Sequence, residues 1–547
     1  MLVSQAMGTT YEYDGVIIGA GHNGLILEGY MARAGLRVVA VELGVELGGG
    51  LDSHEDERHP GFWHNIHSVF HRNLAELPWY RDLELERFGA EYVKPEVGVA
   101  MLLEDGRSLI WYRDVERTCA SLARLSPRDA GTFHEVHRRF TPVVRQIIFP
   151  ETYAPPIPWA RKAELLERSA AGREYLAYSA KSPKAVITEL FEHEAIRAFV
   201  GFLTVMRGYE LDAEGLGYFV PGMIAGGVNP QLCKGTSHRL AHHLHRMAVS
   251  YGGDILEARE VVRVLVEDGV ARGVQLADGA QVLARRFVAS SLDPQTTFLQ
   301  LVGPEHLDAG FARRVSGYEY SAVSPILSVN LSLREPPRYR AAEREPAVAR
   351  SFMIIAGLEC SADLDDLYDA CRAGELPRRL FMNGACPTIH DPTQAPPGSH
   401  TAFMWPLVPY DLKDGGPTRW DAIKEAVMGC YLERWRQYAP NLTPANILHA
   451  FTNSPLDIER HVPNMRGGDW MVGALNTQQM YDRRPLPELA RHRTPIDRLY
   501  LCGSCCHPGG NITGAPGYNA AGIIAADLGM DPWWHPHDIE ALWGELR

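Results

Sequence analysis

The chain predicts an α/β protein whose polypeptide builds a nucleotide-binding layer, leaves it and returns to it near the other end. Three observations carry that reading. The stretch VIIGAGHNGL, beginning at Val16, has the order strand, glycine turn, helix. The stretch LCGSCCHPGGNITGAPGYNAAG, residues 501 to 522, repeats that order with a longer glycine loop nearly the whole chain later. Between them, Gly252 to Pro294 reads as short alternating strands with turns at Asp268-Gly269 and Asp278-Gly279.

In the first stretch Val16, Ile17 and Ile18 read as a buried parallel strand, and Gly19, Gly21 and Gly24 follow as GxGxxG with His22 and Asn23 inside the turn. Leu25 to Ala34 has helical composition, and Arg37 to Val41 reads as a second strand ending at Glu42. Each glycine has a mechanical role. Gly19 permits the tight turn, Gly21 lets a pyrophosphate approach the backbone, and Gly24 lets helix and strand pack closely. The pyrophosphate is expected at the helix N-terminus, where unpaired N–H groups point outward. Glu42, 18 residues past Gly24, is placed to accept hydrogen bonds from ribose hydroxyls and disfavours a 2′-phosphate. Gly48, Gly49 and Gly50 add a loop able to approach a ribityl chain. Glu28 is an oddity, since a small residue there would pack better against the sheet.

In the second stretch Leu499 to Cys502 reads as a strand, Gly503 to Gly514 as a loop beginning with Gly503 and Ser504, and Ala515 to Leu528 as a helix carrying Gly517 near its start. Such a unit aims a helix N-terminus at a bound cofactor, and positive potential there stabilises an anionic reduced flavin ring. One turn is expected to hold a pyrophosphate and the other the redox ring.

Bulk properties narrow the classes. At 547 residues the chain exceeds what one core usually serves, so two domains or a large insertion are expected. A net charge of −13 opposes binding to a phosphate backbone, which excludes nucleic acid as the expected partner. The N-terminal MLVSQAMGTTYEYDG shows no basic segment followed by an apolar one, so no secretory signal is expected. Nine scattered cysteines fit a reducing cytoplasm. Leu499 to Ala526 carries no formal charge, yet its glycines, prolines and asparagines argue against a membrane span.

The segments GAGHNGL, RPLPELARHRTPIDRLYLCGS, HPGGNITGAPGYNAAG and DPTQAPPGSH, spread over most of the chain, resemble the phytoene-desaturase-like (phytoene dehydrogenase-related) FAD-dependent oxidoreductases. That resemblance implies a Rossmann-like three-layer FAD-binding domain assembled from residues 10–70, 226–300 and 485–532, with an inserted α+β substrate domain from 71–225 and 301–484 and a C-terminal tail from 533 to 547. It further implies that Val261 and Val262 offer backbone groups to the adenine, and that backbone around Asn511, Ile512 and Gly514 meets the flavin.

Chemistry-bearing candidates follow. His64, His67 and His71 fall where the resemblance places the cavity over the flavin, and spacings of three and four put them on one helical face. His64 or His67 is the expected base, and Tyr518 is expected to cap the substrate side. A metal site is weighed on the three histidines and not expected. His507 and Cys506 are considered for covalent flavin attachment, and Cys502 and Cys505 form a CxxC read as structural. Tyr153, Trp159, Trp405 and Tyr410 are aromatic pocket candidates, and FPETYAPPIPWARKAELLER is a candidate mouth touching a membrane surface.

The expectation is an FAD-dependent desaturase or saturase of a carbon–carbon bond in an apolar or aromatic small molecule, with oxygen or a quinone as possible electron acceptor. Two readings stay beside it: a redox-neutral flavin isomerase, and a non-catalytic binding protein like the prenyl-protein escorts of the same fold.

Overall fold

The computed structural model describes residues 9–546. Residues 1–8, which carry most of the segment read for a secretory leader, and the last residue of the expected tail lie outside the described residues.

Strand β1, Thr10–Ile18, is longer than its apolar core implies and forms the centre of a mixed seven-stranded sheet. It pairs in parallel with β2, Val38–Val41, and with the strand Gln281–Ser290. Asp254–Leu256 extends the parallel sheet beyond β2. The long strand Gln281–Ser290 forks. Its first half pairs with the antiparallel Val270–Leu276, itself paired with Val261–Glu267, and its second half pairs in parallel with Leu499–Leu501. The chain therefore returns to its first sheet after more than two hundred residues, as the second glycine stretch predicts. The turn at Asp268-Gly269 has positive φ at both residues, the backbone a two-residue hairpin needs.

Alternation along the central strands builds three layers. Ile17, Ala289 and Tyr500 face helix α1, His22–Arg33, with the helices His238–Ser250 and Ala515–Asp527 beside it. Val16, Ile18, Val288, Leu499 and Leu501 face the antiparallel strands. α1 can lie this close because Gly24 has no side chain: a Cβ there would sit 2.3 Å from the Gly19 carbonyl oxygen. Glu28 is fully buried in α1, and neither carboxylate oxygen has a hydrogen-bond partner. Burial, with Asp254 nearby, raises its pKa well above the usual carboxylate range.

A second seven-stranded sheet runs in the order Ile447–Asn453, Ser328–Leu333, His400–Trp405, Met382–Ala385, Met353–Ala356, Val97–Leu102, Ser108–Tyr112. Helices Val115–Ala123 and Pro127–Val143 accompany this sheet. Each starts on a capping side chain, Asp114 accepting from the Arg117 N–H and Ser126 from the Asp129 N–H. The helix Glu194–Val205 is buried on nearly every face and joins the same core as Trp111, Phe352 and Phe403.

The segment bearing His64, His67 and His71 is not helical. Trp63–Asn65 pairs with Ser53–Glu55 as a short hairpin, and His71–Arg72 pairs with Pro230–Cys233. The three and four residue spacings that mimic a helical face come from two short strands joined by irregular chain, so the rings point to different surroundings. Among the described residues no helix is long and apolar enough to cross a membrane.

Candidate active site

The two glycine turns meet on one cavity of about 1000 Å³. Gly19, Gly21, His22 and Asn23 line it from the first turn, and Ser504, Asn511 and Ile512 from the second. Asn23 Nδ2 donates to Ser504 Oγ at 3.2 Å, tying the turns together across 481 residues of sequence. The first turn clasps the following loop as well, with the Gly48 N–H donating to the Ala20 carbonyl at 2.9 Å. Gly49 and Gly50 lie on the wall beyond it.

The donor set fits a dinucleotide. A Cβ on Gly21 would meet nothing nearer than the Gly48 carbonyl oxygen at 4.0 Å, so the backbone there opens onto the cavity. The Glu42 carboxylate is fixed at the cavity edge by the N–H groups of Ala20 at 2.8 Å and Gly44 at 3.0 Å, which leaves lone pairs for ribose hydroxyls. Val261 and Val262 line the same end, Val262 being 42% exposed. His22 Nε2 and Asn23 Oδ1 are buried with no partner in the protein. Such orphaned polar atoms are costly unless a ligand satisfies them.

The second turn is held from outside the cavity. Arg484, fully buried, donates to the carbonyls of Ala474 at 3.1 Å, Gln479 at 3.2 Å and Ser504 at 3.1 Å. Trp79 Nε1 and the Tyr153 hydroxyl both donate to the Thr513 carbonyl, at 2.6 and 2.9 Å, just before the helix Ala515–Asp527 begins. Three sequence-distant side chains thus fix a loop that has little regular structure of its own.

Gly24, Gly503 and Gly517 do not line the cavity. They are close-packing positions: a Cβ at Gly503 would sit 2.0 Å from the Ser291 carbonyl oxygen, and one at Gly517 2.3 Å from that of Asn23. Tyr518 is also misplaced by the sequence reading. It is 3% exposed, packs edge-on against Tyr30 and Tyr153, and donates to the His535 carbonyl at 3.3 Å, away from the cavity. Of the aromatic pocket candidates Trp405 alone lines the cavity. His507 Nε2 bonds the Glu151 carbonyl at 2.9 Å, and neither His507 nor Cys506 reaches the cavity wall, so the covalent attachment considered from sequence lacks geometric support. Cys505 and Cys506 stand 3.9 Å apart at sulfur as buried free thiols.

The histidines separate by environment. His64 is not on the cavity. Its Nε2 donates to Ser332 Oγ at 3.1 Å, Ser332 donates to Asp56 at 2.5 Å, and His449 Nδ1 reaches the same carboxylate at 2.9 Å. Burial pushes the Asp56 carboxyl up, but Ser332, the Arg58 N–H and His449 outweigh it and hold it at about 2. His64 is thereby a member of a buried network, an imidazole pulled down to about 4 by burial. His71 is likewise enclosed, between Ser68 at 3.2 Å and Tyr92 at 3.0 Å. His67 differs. It lines the cavity, is 7% exposed, and neither ring nitrogen has a hydrogen-bond partner; burial holds it neutral, with a pKa of about 4.

Beyond the expected nucleotide end the cavity continues between Phe70, Met206, Ile326, Met353, Trp405 and Trp470, an apolar and aromatic chamber drawn from the second sheet and the connecting segments around it. Arg72 is a charged exception on its wall, its guanidinium pulled down to about 10 by burial. Sequence reading missed Asp52, Asp56, Arg72, His449 and His461. No motif spacing marks them, because their partners are up to 409 residues away, as in Asp52 and His461 at 3.2 Å.

No family model matches the sequence. The chain is 32% identical over 545 residues to a subunit of the limonene dehydrogenase of Castellaniella defragrans, covering 97% of this chain and 98% of that one. It is 22% identical over 534 residues to a lycopene-forming phytoene desaturase of a Paracoccus species, covering 94% and 97%. Among solved structures, an oxidoreductase from Methanosarcina mazei superposes with a TM-score of 0.59 at 17% identity, over 93% of this chain and 99% of that one, which shows the shared fold. With full-length similarity to a dehydrogenase and a desaturase, and with two glycine turns converging on one dinucleotide-sized cavity, the chain belongs to the phytoene-desaturase-like family of FAD-dependent oxidoreductases.

Proposed function

We propose that this enzyme holds FAD along the two glycine turns and desaturates, or in reverse saturates, a carbon–carbon bond of an apolar or aromatic small molecule. The observation that carries the reading is the continuity of one cavity from Gly21 and Glu42 to the chamber of Phe70, Met353, Trp405 and Trp470, with His67 on the wall. The segments 10–70, 226–300 and 485–532 form the cofactor domain in this proposal, and the two between them form the substrate domain. Glu42 binds the ribose, backbone around Gly21 lies against the pyrophosphate, and backbone at Asn511 and Ile512 holds the ring. Bound there, FAD supplies a two-electron acceptor for a hydride leaving a substrate carbon.

The chain's own chemistry is proton transfer and exclusion of water. His67 is neutral at physiological pH, so a ring nitrogen is free to take the proton from the carbon next to the one that loses hydride. The apolar walls keep the reacting carbons dry and orient them by shape. The relatives named for limonene and phytoene, both apolar, favour a substrate of that class. Oxygen and quinones are the acceptors to try first.

The test is the visible spectrum of the purified protein under anaerobic titration with apolar and aromatic candidates. Bleaching of the flavin band identifies a reducing substrate. Turnover without bleaching and without acceptor indicates the isomerase, and a colourless protein that takes up no FAD removes the proposal.

A further inference from the structure

Beside His67, three further side chains converge in a way that the flavin chemistry does not use. Asp52 and His461 line the cavity, and His54 stands against them from the hairpin. His54 Nε2 lies 2.9 Å and His461 Nε2 3.2 Å from the same oxygen, Asp52 Oδ2, and the two imidazole nitrogens are 3.3 Å apart. One carboxylate oxygen and two Nε2 atoms therefore form a nearly equilateral triangle.

We propose that Asp52, His54 and His461 bind a divalent transition-metal ion of the zinc class at the cavity wall. Ligand chemistry and spacing agree. Zinc takes imidazole nitrogen and carboxylate oxygen at about 2.0–2.1 Å in tetrahedral geometry, which sets neighbouring donors roughly 3.3 Å apart. The alternative is a cluster held by the Asp52 carboxylate and ring hydrogen bonds alone, in which His54 and His461 bond each other at 3.3 Å, and metal content distinguishes the two. His67 gives a second observation: it is buried, partnerless on both nitrogens, and within electrostatic reach of Asp52, His461 and His54. The cluster offers a cation one carboxylate oxygen and two imidazole nitrogens. Three protein ligands leave a fourth position for a water or a substrate oxygen.

The site stands on different residues from the cofactor proposal, and the two are separable by measurement. The full-length protein is stripped with a chelator, exchanged into chelator-free buffer and titrated with Zn²⁺ against a chromophoric competitor. Bound zinc is counted by elemental analysis, and FAD content is read independently from the visible spectrum. A second group of possible ligands, Glu46, His238 and His242, lies in the same neighbourhood and supplies the control. The expected result is one zinc per chain, bound at least tenfold more weakly in Asp52→Asn and in His461→Ala, and unchanged in His242→Ala. Mg²⁺ is expected not to compete. Circular dichroism checks that each variant folds, and His54→Ala, on a partly exposed ring, serves if either of the others does not. Absence of tight zinc in the wild type, or zinc lost in His242→Ala and retained in Asp52→Asn and His461→Ala, overturns the proposal.

Discussion

The two ends of the cavity are made of different materials. At the end proposed for the nucleotide the wall is built from backbone turns: the turn at Gly19 to Gly24, the loop at Gly48 to Gly50 and the return at Ser504 to Ile512, each placed by a parallel strand that precedes it. At the chamber end they belong to side chains on unrelated elements, His67 after a hairpin, Met206 after a buried helix, Met353 and Trp405 on the second sheet, and His461 at the end of another helix. The backbone end is a local structure that recurs wherever the strand, turn and helix form. The side-chain end exists only once both sheets have packed, and there a single residue changes chemistry without changing fold.

That contrast is testable, most strongly at the glycines. Gly21→Val adds side chain into open cavity, so the variant is expected to fold, melt close to wild type, and purify without the yellow flavin spectrum. Gly24→Val is expected to fail differently, by forcing α1 off the sheet at a cost of several kcal/mol, because its Cβ meets the Gly19 carbonyl. If Gly21→Val retains stoichiometric FAD, the backbone end does not bind the pyrophosphate.

The next effect is kinetic and separates two histidines that the sequence cannot. His67→Ala is expected to slow anaerobic flavin bleaching by about 100-fold, the usual scale of general-base loss, with FAD content unchanged. His64→Ala is expected to leave that rate within about threefold while lowering stability by roughly 1–3 kcal/mol through the unpaired Ser332 and Asp56 network. Equal rates in the two variants would remove His67 from its role.

A smaller effect concerns stability beneath the nucleotide end. The folded state binds the Glu28 proton more tightly than the unfolded state, because burial raises its pKa. Its contribution is therefore fully present below the unfolded value of 4.5 and is lost as pH rises toward the higher folded value. Glu28→Gln removes that dependence. Its melting temperature is expected to gain on the wild type steadily as pH is raised from 4.5 to 8, and a constant difference across that range would show that Glu28 does not titrate as the burial implies. The smallest expected change is Tyr518→Phe, which deletes one long hydrogen bond to the His535 carbonyl at 3.3 Å. It is expected to cost about 1 kcal/mol or less with no change in bleaching rate; a slowed rate would return Tyr518 to the substrate.

Legibility in the sequence follows the same division. Val16 to Glu42 is readable as strand, turn, helix, strand and acid because each step depends on residues within a few positions of one another. Leu499 to Leu528 is readable for the same reason, and both units stand on the same sheet. Gly503 and Gly517 stand out in the sequence but suggest the wrong task, since a bare glycine does not say whether a ligand or another backbone needs the room. The histidines mislead more. Spacing of three and four is a helical signal only if the backbone is helical, and Trp63–Asn65 and His71–Arg72 are strands.

The order of residues along the chain is enough to give the nucleotide-binding units, their return to one sheet and the family, because local backbone preference and apolar alternation are properties of short segments. Folding in three dimensions was needed to bring His67 to the cavity while keeping His64 and Tyr518 from it, and to gather His54, Asp52 and His461 at one point in space. Side-chain company over four hundred residues of separation is set by how layers pack, and packing leaves no periodic trace in the chain.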